Sequence, residues 1–228
     1  MKVAISQPRY LPAMNYIQRI MLCDVFVLLD CVQHQPRAFE HRNRIKTPSG
    51  RKWLSIPLER NGRALIKDLR ASDLWWVQKH YKTARQYYVC AEHFDSSFFH
   101  SLYDGLDSPS LVDINEKMLR RALGHLGIER KIIRSSAFDL KAEHSGRLAE
   151  ITRLAGGDTY MSGPNGRNYI KKEFFDGLRV VYHDFTFPTY RQLWGGFEPW
   201  TAFIDALFNV GLDSFRSMLE GNYEINEK

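Results

Sequence analysis

The sequence predicts an α/β fold with a mainly parallel sheet, flanking helices and one β-hairpin insertion. Residues 2–6 form a short apolar run rich in β-branched side chains that stops at Gln7-Pro8, and residues 25–29 are apolar at every position. Between these two runs, residues 13–22 carry apolar side chains at helical spacing. Because a fully apolar strand is usually covered by helices on both faces, this opening predicts a Rossmann-like β-α-β unit whose strands run parallel.

The remaining elements are predicted from local signals. A Thr-Pro-Ser-Gly turn at 47–50, inside the segment 43–58, predicts the hairpin. Asp73 can cap a long helix that follows it. Further helices are predicted for residues 113–126, 144–155, 168–175 and 201–209, and further strands for residues 131–134, 159–161 and 179–182. These elements fit a single domain spanning residues 1–228.

Composition and charge limit the class of protein. The chain has 228 residues, of which 44% are hydrophobic and 25% are charged, and this balance suits one substantial core rather than disorder. Its formal charge of +6 favours anionic partners such as nucleotides and sugar nucleotides. The densest basic stretch, residues 37–70, is interrupted by Glu40, Glu59 and Asp68, which argues against a nucleic-acid binder.

The cysteines and the first residues indicate where the protein works. Cys23, Cys31 and Cys90 form no CxxC pair and leave an odd thiol, so we expect neither a disulfide framework nor a cysteine-only zinc site. The apolar run at residues 2–6 is too short for a signal peptide, and no later run reaches the length of a membrane span. We therefore expect a cytoplasmic protein without a membrane span.

Candidate binding residues follow the predicted strands, because ligands of parallel α/β sheets bind beyond the carboxyl ends of the strands. Asp30 closes the second strand, where it can act as a base toward a substrate amine or simply cap a turn. Two other polar loops occupy equivalent positions. The residues of interest there are Gln7, Tyr10 and Tyr16 after the first strand, and Ser162 and Arg167 after the strand at 159–161.

Histidine and arginine side chains outside these loops are further candidates. Asn43 and Arg44 precede the hairpin, where the arginine can bind phosphate or carboxylate or merely remain in solvent. His80 lies in a predicted helix among tyrosines and can be a proton-transfer group or a core histidine. His34 and His41 have acidic residues nearby, but their spacing matches no recognised zinc motif, so no metal site is predicted.

An aromatic-rich segment at 185–200 precedes the last predicted helix. Its rings can hold a sugar or a base by stacking, or can simply form core. Its polar neighbours Tyr190, Gln192, Asp205 and Asn209 are either a pocket floor or a hydrogen-bonded core, and the last two share one helical face. No Walker loop, Gly-x-Ser-x-Gly elbow or full dinucleotide fingerprint is present, so motifs leave the reaction open.

Two distant stretches of the chain carry a resemblance to a known family. The first has Gln-Pro-Arg-Tyr-Leu-Pro at 7–12, Asp-Val-Phe-Val at 24–27, Asp30, Asn43-Arg44 and Trp-Leu-x-x-Pro at 53–57. The second has Ser162-Gly163, Tyr169, Pro-x-Tyr-x-Gln-x-Trp-x-x-Phe-x-Pro at 188–199 and Asp-x-Leu-Phe-Asn-x-Gly at 205–211. In this combination the chain resembles the WbqC-like family over nearly its whole length.

The resemblance implies a role in the biosynthesis of O-antigen, the polysaccharide of lipopolysaccharide, where the family is proposed to transfer glycine or a similar acyl group. We accordingly expect a transferase that forms an amide between an activated amino acid or other acyl donor and the amine of a nucleotide-linked amino sugar. Asp30 or His80 would accept the amine proton. Asn43, Arg44 and Arg167 would bind phosphate or carboxylate, Gln7, Tyr10 and Tyr16 would line the first loop, and Tyr190, Gln192, Asp205 and Asn209 would form the pocket floor.

Other functions stay open on the sequence. ATP and Mg²⁺ are candidate cofactors of such a transfer. A nucleotidyltransferase-like or acyl-adenylate-forming enzyme is one alternative, although the His-x-Gly-His signature of nucleotidyltransferases is missing from the first loop. A non-catalytic module that binds a sugar nucleotide is the other alternative.

Overall fold

The computed structural model describes residues 1–59 and 63–227, so part of the basic stretch at 37–70 lies outside the described residues. The strands are β1 (Lys2–Ser6), β2 (Val25–Leu28), β3 (Arg42–Thr47), β4 (Gly50–Ser55), β5 (Lys131–Arg134), β6 (Thr159–Ser162), β7 (Arg179–Phe185) and β8 (Tyr223–Asn226). The helices are α1 (Met14–Leu22), α2 (Trp75–Tyr88), α3 (Ser96–Tyr103), α4 (Leu111–His125), α5 (His144–Leu154), α6 (Phe203–Val210) and α7 (Leu212–Glu220).

A six-stranded sheet in the order β5-β2-β1-β6-β7-β8 forms the centre of the fold. All neighbours pair in parallel except β8, which runs antiparallel to β7. In register, Ala4 on β1 lies between Phe26 on β2 and Met161 on β6. The predicted α/β fold with a mainly parallel sheet is confirmed.

The order of the strands reverses direction at β1. From β1 the chain moves to one side, through β2 to β5, and then returns to the other side of β1 to form β6 and β7. In open α/β sheets, such a reversal separates the connecting loops and opens a crevice outside the carboxyl ends of the two strands concerned. The crevice between β1 and β6 is therefore the position where this topology favours a ligand.

Both faces of the sheet are covered, as the apolar strands predict. Ala4 and Phe26 point into the larger core with helices α1, α4, α6 and α7. Their neighbours Val3 and Val27 point into a smaller core under α5. Burying one such side chain completely contributes roughly 1.5–3 kcal/mol, so the alternation holds each strand firmly in register.

The predicted hairpin is present as β3 and β4, and its turn joins Thr47 to Gly50. Gly50 has a φ of +90°, which suits glycine. The buried side chains of Ile45 and Leu54 attach the hairpin to the larger core. The Arg44 carbonyl also accepts a hydrogen bond from the backbone N–H of Ala202, which ties the hairpin to the start of α6.

The helix predicted at 168–175 is wrong. The segment instead forms two short 3₁₀ turns, Pro164–Asn168 and Lys172–Phe175. Gly166 in the first of these turns packs so closely on Ser162 that a Cβ there would collide with the serine hydroxyl, so this turn returns tightly against β6. Three elements were not predicted at all, namely α3, α7 and β8.

None of the helices in the described ranges combines the length and the apolar character needed to cross a membrane.

One buried histidine of the sheet faces a glutamine side chain in the core. His183 on β7 is fully buried, and its Nε2 lies 2.6 Å from Oε1 of Gln18. The Gln18 amide nitrogen already donates to the carbonyls of Leu219 and Gly221, so its oxygen faces the ring and His183 carries its hydrogen on Nε2. Nδ1 has no hydrogen-bond partner among the described residues. Burial lowers the pKa of His183 to about 4, with a further lowering from the charge of Arg19.

We predict that His183→Gln makes the stability of the protein less dependent on pH. An unfolded histidine takes up its proton near pH 6.5 but the folded His183 only near pH 4, so the unfolded state binds more protons in between. Wild-type stability should therefore fall by up to about 3 kcal/mol as the pH drops through this window. Glutamine keeps an N–H donor toward Gln18 and does not titrate.

Urea unfolding at several pH values between 4 and 7 measures the effect. His100→Gln, at an exposed histidine on α3, is the control and should retain the wild-type pH dependence. Equal pH dependence in the wild type and His183→Gln would contradict this account of the buried ring.

Candidate functional site

Two arginines meet at the crevice between β1 and β6. Arg9 follows β1, and Arg19 projects from α1 toward the turn that follows β6. A Cβ at Gly163 would lie 3.0 to 3.2 Å from three atoms of the Arg19 guanidinium, so a glycine at this position lets the arginine pack against the backbone. Arg19 is only 8% exposed, and Arg9 is half-buried. We call these two residues the arginine pair.

The arginine pair makes no direct ion pair among the described residues. Neither side chain forms an ion pair within residues 1–59 and 63–227, and the buried Nε of Arg19 has no hydrogen-bond partner there. Burial lowers the pKa of Arg19, and the neighbouring charge of Arg9 lowers it further. A guanidinium stays protonated in proteins, so Arg19 carries a buried positive charge without a carboxylate nearby among the described residues, and Arg9 has only the longer-range charge of Glu40. Uncompensated positive charge of this kind favours an anionic ligand.

Aromatic rings hold Arg9 in place. Its guanidinium carbon lies 5.4 Å from the centre of the Tyr16 ring and 5.5 Å from that of Phe39, within the range of cation–π attraction. The Tyr16 hydroxyl donates to the Gln7 carbonyl over 3.0 Å and so fixes the loop that carries Arg9. Two residues predicted from the first loop, Gln7 and Tyr16, therefore support the arginine pair.

An ionisable cluster lies beside Arg9. Nδ1 of His34 is 3.6 Å from Oε2 of Glu40. One side-chain nitrogen of His34, one carboxylate oxygen of Glu40 and one side-chain nitrogen of His41 all lie within 4.8 Å of one another. Glu40 is 1% exposed, and burial raises its pKa to about 7. Burial and the neighbouring His34 lower the pKa of His41 to about 4. Burial lowers the pKa of Arg9, and the charge of Glu40 partly offsets this by raising it. The cluster and the arginine pair therefore influence each other electrostatically.

Asp30 lies at the carboxyl end of β2, and both of its carboxylate oxygens are hydrogen-bonded. Oδ1 accepts from the Ser135 hydroxyl and from the Ser136 N–H, each over 2.8 Å, and Oδ2 accepts from the Ser136 hydroxyl over 2.6 Å. These bonds tie β2 to the turn after β5. The structure thus shows the capping arrangement that the sequence left open for Asp30.

His80 and Tyr10 belong to the interior rather than to the crevice. The Tyr10 hydroxyl lies 2.9 Å from Nδ1 of His80 and 3.2 Å from the hydroxyl of Tyr103. Burial lowers the pKa of His80 to about 4, so the ring is neutral near pH 7. His80 also borders a surface cleft of about 830 Å³ beside the exposed Trp75. This geometry corresponds to a core histidine at the base of a surface cleft.

The four polar residues of the C-terminal segment form one network, in which Tyr190, Gln192 and Asp205 are buried and Asn209 is half-buried. Asp205 accepts hydrogen bonds from Tyr88 and Tyr190 over 2.7 Å and from Gln192 over 2.6 Å. Burial raises the pKa of its carboxyl. Asn209 accepts from the N–H of Leu193 and donates to the Asp205 carbonyl. The network holds the aromatic segment against α2 and α6, which is the hydrogen-bonded core alternative.

The predicted anion binders are engaged elsewhere. Asn43 donates to the Leu11 carbonyl over 2.5 Å, and Arg44 lies 5.2 Å from the centre of the Trp53 ring and donates to a backbone carbonyl. Arg167 makes two hydrogen bonds to Asp184, at 2.7 and 2.6 Å.

Ser162 is the third predicted residue at the crevice, with Gln7 and Tyr16, and its buried hydroxyl is unpartnered among the described residues. The structure adds Arg9, Arg19 and Glu40, which the sequence did not single out. In the sequence, Arg19 looks like an ordinary polar position on the exposed face of an amphipathic helix. Glu40 looks like an acidic residue that interrupts a basic stretch. Neither pattern shows that the side chain is buried.

Comparison with known proteins gives the family. A model of the WbqC-like protein family matches residues 7–217. The chain belongs to this family. It is 33% identical over 220 residues to the uncharacterized protein Rv1507c of Mycobacterium tuberculosis (strain ATCC 25618 / H37Rv), which covers 93% of this chain and 95% of that protein. No solved structure matches the chain significantly. Membership of the WbqC-like family, expected from the sequence motifs, is thus confirmed.

We predict that Asp205→Asn destabilises this WbqC-like protein without affecting the crevice. In the wild type, two tyrosine hydroxyls and one glutamine amide donate to the Asp205 carboxylate. The asparagine would put an N–H donor opposite some of these donors, so the free energy of unfolding should fall by roughly 2–4 kcal/mol. Asp139→Asn, at a side chain that is 85% exposed, is the control and should change stability little. Urea denaturation compares the three proteins, and equal stability of Asp205→Asn and the wild type would exclude the structural role.

Proposed function

We propose that the protein is a group-transfer enzyme that binds the phosphate groups of a nucleotide-linked sugar at the arginine pair. The observation that carries the proposal is the presence, at the β1–β6 crevice, of two neighbouring arginines that form no direct ion pair with a carboxylate among the described residues. Arginine guanidinium groups match phosphate geometry, and this crevice is where doubly wound sheets bind nucleotides. The net charge of +6 favours the same class of ligand.

The resemblance to WbqC-like proteins supports a specific reaction in surface polysaccharide synthesis. The amine nitrogen of a nucleotide-linked amino sugar would attack the acyl carbon of an activated amino acid such as glycine. The new C–N bond forms as the donor's leaving group departs with its electron pair, and the amine gives up a proton. Arg9 and Arg19 would hold the diphosphate, and Tyr16 would keep Arg9 in position through its ring.

The proton acceptor of this reaction has to be a group with a free acceptor atom near the sugar. The carboxylate of Asp30 and Nδ1 of His80 are both engaged in hydrogen bonds. The cluster of His34, Glu40 and His41 has unpartnered acceptor atoms among the described residues and lies next to Arg9. We therefore place the proton-accepting function in this cluster rather than at Asp30 or His80.

We predict that Arg19→Gln weakens binding of a UDP-linked amino sugar by about 10- to 100-fold, because a charge-assisted hydrogen bond to phosphate is lost. The same change should leave the melting temperature equal or raise it, since it removes a buried charge that the free protein leaves uncompensated. Isothermal titration calorimetry measures the affinity, and thermal denaturation without ligand measures the stability.

Arg167→Gln is the matched control. Arg167 is exposed and paired with Asp184, so its loss should leave the affinity for the UDP-linked sugar at the wild-type level. Wild-type affinity in Arg19→Gln, or a loss of affinity in Arg167→Gln alone, would contradict the assignment of the phosphate site.

The reaction itself is tested by mass spectrometry of products. Purified protein is incubated with UDP-linked amino sugars and glycine, with and without ATP and Mg²⁺. A mass increase equal to one glycyl group is the expected result, and its dependence on ATP decides whether the donor is activated by the protein itself. Tight sugar-nucleotide binding without any product would favour the non-catalytic binding module instead.

A further inference from the structure

We propose that His34, Glu40 and His41 form a binding site for a divalent transition metal ion of the zinc class. The three side chains offer two imidazole nitrogens and one carboxylate oxygen, a ligand set typical of zinc sites that keep a position for an outside ligand. They are the one group of three potential ligands found in residues 1–59 and 63–227. The spacing of the three residues in the sequence matches no zinc motif. The turn through residues 34–41 nevertheless brings their side chains together.

The distances fit a metal of this size. With bonds of about 2.1 Å, two ligand atoms of a tetrahedral zinc ion lie roughly 3.4 Å apart. Nδ1 of His34 and Oε2 of Glu40 are 3.6 Å apart, and the three donor atoms all lie within 4.8 Å of one another. Side-chain rotations that move an atom by little more than about 1 Å would complete the coordination, as side chains commonly do on binding.

Unpartnered polar atoms support the same site. Nδ1 of His34, Oε2 of Glu40 and Nδ1 of His41 are buried and have no hydrogen-bond partner among the described residues. Most buried polar atoms of native proteins have a partner, so three unpartnered atoms in one cluster are available together to one ion. An ion pair between His34 and Glu40 would leave Nδ1 of His41 without a partner. The 3.6 Å between Nδ1 of His34 and Oε2 of Glu40 is also too long for a hydrogen bond.

The backbone holds each ligand from a different part of the structure. The His34 N–H donates to the carbonyl of Ala64, the Asn115 side chain donates to the carbonyl of Glu40, and the Ile56 N–H donates to the carbonyl of His41. These bonds measure 3.0, 2.8 and 2.7 Å. A metal site needs ligands whose positions are fixed before the ion binds, and this anchoring supplies that.

The position of the site suggests its use. Three protein ligands leave at least one coordination position for an outside group, and Arg9 lies beside Glu40. A phosphate or carboxylate oxygen held by Arg9 is the class of ligand suited to that position. A bound ion would occupy the acceptor atoms of the cluster, so these side chains would accept the amine proton only in the metal-free protein. The use of the open position rests on the proposed function, whereas the binding of the metal does not.

Direct metal binding tests the inference. The full chain is prepared with Cys31→Ser and Cys90→Ser, so that accessible thiols do not bind zinc, and is stripped with a chelator. Calorimetric titration with zinc chloride, and metal analysis after dialysis, should give one zinc ion per chain. Cobalt substitution should give the visible absorption of a four- or five-coordinate ion.

Variants assign the bound metal to the cluster. Glu40→Gln and His41→Gln should each weaken zinc binding by roughly a hundredfold or more, whereas His100→Gln should not change it. Circular dichroism checks that each variant is folded, and His34→Gln, at a half-buried position, replaces any variant that is not.

Absence of zinc binding, or binding that all cluster variants retain, would overturn the metal site. The Arg19→Gln affinity for the UDP-linked sugar is measured without metal, so failure there would affect only the proposed function. The two proposals can thus fail separately.

Discussion

The parallel pairing of β1 with β2 on one side and β6 on the other determines where this protein can work. Because β1 is the strand at which the sheet reverses direction, the loops after β1 and β6 diverge and leave room for a ligand. The same pairing brings Arg9 and, through α1, Arg19 to one edge. The apolar side chains of β1 enter the two cores, and the Arg19 guanidinium packs on Gly163 at the end of β6.

The structure sets stability against function at this edge. Two arginines elsewhere in the fold have direct carboxylate partners: Arg134 has Asp113 and Glu116, and Arg167 has Asp184. At the crevice, burial lowers the pKa of Arg19, and no carboxylate among the described residues compensates it. A protein selected only for stability would place an apolar side chain or an ion pair there. Its uncompensated charge is understandable if an anionic substrate completes the site.

The sequence predicts much of this fold because fully apolar runs bounded by turn residues indicate strands that are covered by helices on both faces. The turn signals failed at 168–175, where the chain forms short 3₁₀ turns in place of the predicted helix. The site was harder to predict, because residue type does not reveal whether a partner exists. Asp205 and Asn209 share a helical face as expected, yet they serve a closed network, whereas Arg19 was missed since its helix pattern shows no burial.

A crystal structure of the protein bound to a UDP-linked amino sugar would test the central claim most directly. Our account predicts that the diphosphate lies between the guanidinium groups of Arg9 and Arg19, outside the carboxyl ends of β1 and β6. A diphosphate bound in the surface cleft beside Trp75 and His80, or at Arg167 with the Asp184 pair broken, would contradict it.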